Sequence, residues 1–168
     1  SVNPVGDELF ASGTGYPSLA FVAFQATFAI ITVALISGAI ADRAKFGAWM
    51  IFAGVWATVV YFPVANWVFN FTVADGKVVD GGWIVYNLGV IDFAGGTAVH
   101  INAGAAGLAL AIILGKRFGF SKGINQPHNV PLTLLGVSLL WFGWFGFNAG
   151  SALAADGVAS LAFINTIG

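Results

Sequence analysis

The residues with the clearest capacity for chemistry are His100 and Asp92, which close and open the stretch DFAGGTAVH. A neutral imidazole carries a donor on one nitrogen and an acceptor on the other, the combination that a proton relay or a polar guide requires. The carboxylate has two compatible readings. As a helix N-cap, Asp92 accepts orphan backbone N–H groups and complements the positive end of the dipole. At an entrance, its charge favours a cation. Beyond His100 the chain runs INAGAAGLALAIILG before the next charge, Lys116. A helix that begins at Asp92 carries His100 about 12 Å deeper. Ionisable groups inside a membrane are expensive and generally face a pathway or cavity. The competing reading is a core histidine bonded to a neighbouring helix.

Four phenylalanines, Phe24, Phe28, Phe69 and Phe147, fall at or near the outer ends of apolar runs. The chain has 16 phenylalanines, so any one of them fits lipid contact or core packing equally well. A cluster at a mouth holds a cation through ring quadrupoles, each worth ~0.5–2 kcal/mol. Ser151 closes GWFGFNAGS, where a hydroxyl caps or back-bonds a helix end. His128 sits between two prolines in QPHNVP and reads as a loop residue.

These side chains need apolar elements to hold them. The chain is 58% hydrophobic and only 8% charged, against about 25% charged in soluble domains. It cannot cover a water-facing surface, so the lipid bilayer is its solvent. The formal net charge of −1 offers no field for nucleic acid. With no cysteine there is no disulfide framework or thiolate metal site. Two histidines cannot supply the three protein ligands of a catalytic zinc without carboxylate help. Nucleophile elbow, phosphate loop and dinucleotide fingerprint are absent, so neither an enzyme nor a bound cofactor or metal is expected. Ser1–Phe10 lacks the basic region of a leader.

Charges punctuate the chain at Asp7 and Glu8, then at Asp42, Arg43 and Lys45. Further marks follow at Asp75, Lys77 and Asp80, at Asp92, at Lys116, Arg117 and Lys122, and at Asp156. Between them lie runs long enough to cross a ~30 Å hydrocarbon core. The pattern predicts spans at 19–41, 47–70, 92–115 and 131–151, with a fifth starting in 157–168. Each must be a helix, because lipid leaves no other partner for its backbone. Pro63 should kink the second span or bend its outer end. Arg43, Lys45, Lys116, Arg117 and Lys122 place the first and third loops in the cytoplasm by the positive-inside rule. Asp75 and the 148–156 region then lie outside. Gly95, Val99, Ala103, Gly107 and Ala111 recur every four residues and form a stripe for close helix approach. Gly143, Gly146 and Gly150 suggest the same role in the fourth span. Four and a half helices without an initiator methionine suggest part of a longer protein.

DFAGGTAVHINAGAAGLALAIILGKR, PHNVP and WFGWFGFNAGSA resemble the ammonium transporter family (Amt/Mep, related to the Rh proteins). FQATFAIITVALISGAIADR and YFPVANWVF fit the same family, and the resemblance runs from Phe24 to Thr166. It implies an all-α, multi-pass bundle, with residues 1–168 forming part of one membrane domain. The whole fold would have eleven helices in an inverted repeat, of which this chain holds the third to the start of the seventh. It further implies a homotrimer in the plasma or inner membrane, and PII-type regulatory partners in many members.

Residue by residue, His100 matches the first of two pore histidines, the second lying on a later helix. Asp92 matches the acidic residue beneath the outer recruitment site. Phe28 and Phe147 match the two stacked gate phenylalanines. Ser151 matches the hydroxyl that contacts incoming ammonium, with Phe24 beside it. Tyr61 and Trp144 match aromatic residues of the inner pore. Phe69 departs from the family: it stands where a cation-holding tryptophan is common, and Trp67 is too far around the helix to replace it. The implied function is passage of ammonium as ammonia; the alternatives are an ammonium sensor module and an Rh-like gas channel.

Overall fold

The structure, a computed structural model, describes residues 16–123 and 127–168. Asp7, Glu8 and the Ser1–Phe10 stretch lie outside the described residues. Among the described residues, five helices of nine residues or more are present: α1 (Ser18–Ile40), α2 (Phe46–Phe69), α3 (Gly96–Leu114), α4 (Val130–Gly150) and α5 (Gly157–Asn165). Among the described residues, α1 to α4 are long and apolar enough to cross a membrane. The chain is a membrane protein. Three of the four full spans begin and end within one residue of their expected bounds. The third begins at Gly96, four residues later than expected, because Asp92 to Gly95 are not helical. The chain divides into two compact units, one up to Phe118 and one from Gly119.

In the first unit, α1 and α3 run parallel with their four-residue stripes face to face. Phe28, Thr32 and Ile36 are buried on α1, and Val99 and Ala103 on α3. A Cβ on Gly95 would lie 3.2 Å from the Phe28 ring, and one on Gly107 would lie 3.5 Å from Ala39 Cβ. The stripe read from the sequence is therefore the packed face. Small residues let the two backbones approach, and dispersion replaces a hydrophobic drive that lipid cannot provide.

The C-terminal ends of these two helices cap one another. The Arg43 guanidinium donates to the Ala39 and Gly115 carbonyls, while Arg117 donates to the Gly38 carbonyl at 2.5 Å. Cations at this end satisfy orphan carbonyls and complement the dipoles. Two of the basic loop residues, Arg43 and Arg117, thus bind helix ends. Lysine cannot reproduce a planar fork spanning two acceptors. Arg43→Lys is therefore expected to lower the thermal unfolding temperature of the detergent-solubilised protein nearly as far as Arg43→Ala. Full retention by the lysine variant would show that charge alone suffices.

Helix α2 contains a π-helical turn at Ala57–Tyr61, between α-helical Phe46–Trp56 and Phe62–Phe69. Proline lacks an N–H and its ring crowds the carbonyl four residues back, so the widened turn ahead of Pro63 absorbs the defect. It also sets register. Trp56 and Tyr61 are both buried although they are five residues apart, a spacing that a regular helix would place about 140° out of line.

After α2 the second loop forms a hairpin. Strand β1 (Phe71–Ala74) pairs antiparallel with β2 (Lys77–Gly81), with Phe71 opposite Gly81. Asp75 and Gly76 have φ of 51° and 73°, the two left-handed residues of a type I′ turn. A π-helical turn at Trp83–Asn87 follows. The all-α architecture stands, with this small hairpin added.

In the second unit, Asn129 caps α4 by accepting from Leu132 N at 3.0 Å, and Asp156 caps α5 by accepting from Ala159 N at 2.9 Å. Trp141 Nε1 donates to the Thr166 carbonyl at 3.2 Å, and the Phe145 and Phe163 rings pack at 4.6 Å. The expected close approach at Gly143 and Gly146 is not met: among the described residues, nothing lies within 4 Å of a Cβ added at either. No residue of α4 is buried; within its own unit it packs against the nine-residue α5.

Candidate functional site

The site grows from the irregular start of α3. Gly95 holds φ at +87°, and a Cβ there would stand 2.8 Å from Val99 Cγ2. Only glycine fits, both for its conformation and for its space. This left-handed residue turns the chain so that Asp92 reaches over the helix end. Its Oδ1 accepts from Gly95 N at 2.6 Å, and Oδ2 accepts from Thr97 N and Ala98 N, each at 2.9 Å. The capping reading of Asp92 is met, with a correction: it acts from three residues before the N-cap Gly95 and does not begin the helix. The carboxylate is half-buried, so its charge is shared between these donors and the surface it faces.

The first turn, Gly96–Ile101, is π-helical, and His100 N donates to Gly95 O at 3.0 Å. The wide turn brings the imidazole back over the same carbonyl, with Nδ1 3.1 Å from Gly95 O. A carbonyl only accepts, so Nδ1 must carry the hydrogen. In the neutral ring, Nε2 then holds the lone pair. His100 lies on the exposed side of α3, away from the α1 face. It is four residues from the helix start, a rise of roughly 6 Å, and not the 12 Å expected from a helix that opened at Asp92.

Three of the four phenylalanines converge in this unit. Phe28 is 2% exposed. Its ring meets Phe24 edge-on at 4.9 Å and Phe69 edge-on at 5.9 Å, beside Gly95. An aromatic cluster therefore sits next to the Asp92 cap and the π-turn that carries His100. Tyr61 is only 3% exposed. Its ring is packed into this unit. In the second unit, Trp144 and Phe147 stack at 4.8 Å, and Ser151 Oγ donates back to the Phe147 carbonyl at 2.8 Å, as a hydroxyl at a helix end does. His128 is exposed ahead of α4, in keeping with a loop residue.

Comparison with known proteins gives the family of the chain. The Ammonium Transporter Family model matches residues 6–168. The chain belongs to the ammonium transporter family. It is 65% identical over 151 residues to an ammonium transporter of Mycobacterium tuberculosis, covering 89% of this chain and 31% of the relative. Against an ammonium transporter of Bacillus subtilis the identity is 54%, over 89% of this chain and 34% of the relative. Among solved structures, the crystal structure of Candida albicans Mep2 superposes with a TM-score of 0.74 at 39% identity, over 89% of this chain and 32% of that one. The chain thus spans about a third of the length of the ammonium transporters it matches.

One residue of the site escaped sequence reasoning. Thr32 is fully buried and donates to the Phe28 carbonyl at 2.5 Å. A threonine inside an apolar helix gives no signal of its own. Its spacing of four from Phe28 was the only available hint.

Proposed function

We propose that the parent protein moves ammonium across the cell membrane by passing it as neutral ammonia. The observation that carries this reading is a titratable imidazole on a membrane helix, its tautomer set by Gly95 and its start capped by Asp92. A bare charge at the bilayer centre costs several kcal/mol, so surrendering a proton opens an apolar route. Potassium has no proton to surrender and is refused.

By kinship with the family, Asp92 and Ser151 each correspond to a residue that serves outer recruitment of ammonium, together with aromatic rings. Phe28 and Phe147 each correspond to a gate residue, at or below which the proton leaves, and ammonia continues past His100. Tyr61 and Trp144 border the inner route, Tyr61 through the packing of its wall. A partner histidine on a later helix, a homotrimeric assembly and PII-type regulation complete the reading by kinship with the family. Family membership and relatives named as ammonium transporters support the substrate.

The test is uptake of labelled methylammonium by the full-length protein in cells that lack their own transporters, with potassium as competitor. Saturable uptake that potassium does not inhibit is expected; its absence in a well-expressed protein counts against the reading. Phe69→Trp in the same assay is expected to lower KM by a few-fold, since indole binds a cation more strongly than phenyl does. An unchanged or raised KM would remove Phe69 from the recruitment site.

A further inference from the structure

Helix α2 ends at Phe69, the residue whose ring reaches across to Phe28. A last helical residue is poorly held, because the final carbonyls have no partner further along and the turn frays. Here the chain comes back to that same turn. Strand β1 leaves it, β2 returns, and Gly81 lies opposite Phe71. Gly82 N then donates to Asn70 O at 2.7 Å, and Gly82 is buried. A Cβ on Gly82 would stand 2.5 Å from the carbonyl oxygens of both Asn66 and Trp67. Its φ of −64° and ψ of 157° suit any residue, so space alone reserves the position for glycine. One residue on, the Trp83 indole meets the Trp67 indole edge-on at 6.0 Å. The turn from Asn66 to Phe69 is gripped twice, by backbone and by ring.

We propose that the returning strand is a strap that pins the last turn of α2 and so aims Phe69, with Gly82 and Trp83 as positioning residues for cation recruitment. Asn66 O accepts from Asn70 N at 3.2 Å, the bond that closes the end of the helix. A methyl group at position 82 would press on that same oxygen. Ordinary contact begins at 3.4 Å, so strap and turn must part by about an ångström. Phe69 moves with the turn. Its ring is half-buried, one part packed on Phe28 at 5.9 Å and the rest left to meet a cation. Attraction to a ring depends on distance and on facing the π surface, so a displacement of that size weakens it. The Trp67–Trp83 pair resists the same displacement from the side.

The recruitment half of this proposal rests on Phe69 belonging to the ammonium site proposed above; the pinning half does not. The test uses the full-length protein in proteoliposomes, with 4-fluorophenylalanine at position 69 read by fluorine NMR and methylammonium uptake measured in parallel. Gly82→Ala is expected to shift or broaden the resonance. It should raise KM by about two- to five-fold, the weight of one exposed cation–ring contact, with Vmax per folded molecule kept. Trp83→Leu should change both in the same direction by less, and Trp83→Phe, which returns a ring, should recover most of the loss. A wild-type resonance in both Gly82→Ala and Trp83→Leu overturns the strap. If Gly82→Ala does not fold, an unaltered resonance in Trp83→Leu alone does so. A fall in Vmax at constant KM overturns the recruitment role and leaves the hairpin a brace. An altered resonance with both constants unchanged keeps the strap and removes Phe69 from the site. Uptake that does not saturate in the wild type removes the transport reading, and the resonances still decide the strap.

Discussion

Asp92→Ala is expected to abolish transport and to lower the yield of folded protein at least ten-fold. The carboxylate is the acceptor for Gly95, Thr97 and Ala98 N–H groups at the head of α3. Alanine leaves all three without it. Each buried unsatisfied donor costs ~1–3 kcal/mol, and more where lipid excludes water. The loss falls on the segment that places His100, so structure and function should fail together. Asp92→Asn separates the two contributions. Its one carbonyl oxygen can serve one side of the cap, and its neutral side chain supplies no field for a cation. The asparagine variant should fold at intermediate yield and still transport poorly. Near-normal uptake by Asp92→Asn, measured per folded molecule, would show that the charge itself is unnecessary.

His100→Ala should reduce ammonium uptake by about 10² or more, the usual scale for removing a proton-transfer group, or else admit potassium. The geometry permits a sharper comparison. Nδ1 is committed to Gly95 O, which leaves chemistry to the Nε2 end of the neutral ring. His100→Asn can place an amide donor near that carbonyl but has no lone pair where Nε2 was. It should therefore be as impaired as alanine while retaining more of the fold. Electrophysiology in mixed ammonium and potassium reads both flux and selectivity. Wild-type behaviour of both variants would leave the imidazole a packing residue.

The bilayer made much of this fold readable. A span announces itself by length and apolarity, so α1, α2 and α4 emerged within a residue of their expected ends. The stripe from Gly95 to Ala111 was legible because close helix approach demands small residues at one spacing. Two features were obscured by chemistry that local hydropathy does not register. The start of α3 was placed at Asp92 because an apolar run followed it, yet the carboxylate needs Gly95 in a left-handed turn to reach its three donors. The hairpin's signal is Asp75-Gly76 between the short β-prone runs Phe71–Ala74 and Lys77–Gly81, which a hydropathy pattern of spanning length does not register. Among candidate site residues, the meeting of Phe24, Phe28 and Phe69 is not written in any one apolar run. Proximity of Phe69 to Phe28 depends on how α2 crosses α1, which no spacing within one helix reveals. Thr32 and Tyr61 were harder still, since the π-helical turn that aligns Tyr61 is itself a response to Pro63.

The mutual arginine clasp has a bearing on how the chain is made. Arg43 reaches Gly115 across 72 positions, and Arg117 reaches Gly38 across 79. At a synthesis rate of ~5–20 residues per second, the first helix waits roughly 4–15 s in the bilayer before its mate arrives. In that interval its inner end is tied only by its own Arg43, and the antiparallel hydrophobic segment between the two must already have been threaded. Closure of the clasp is thus a late event, possible only after three successive insertions have succeeded in the right order. A nascent chain that skipped or inverted the middle segment would leave both guanidinium groups on opposite sides of the membrane, unable to meet.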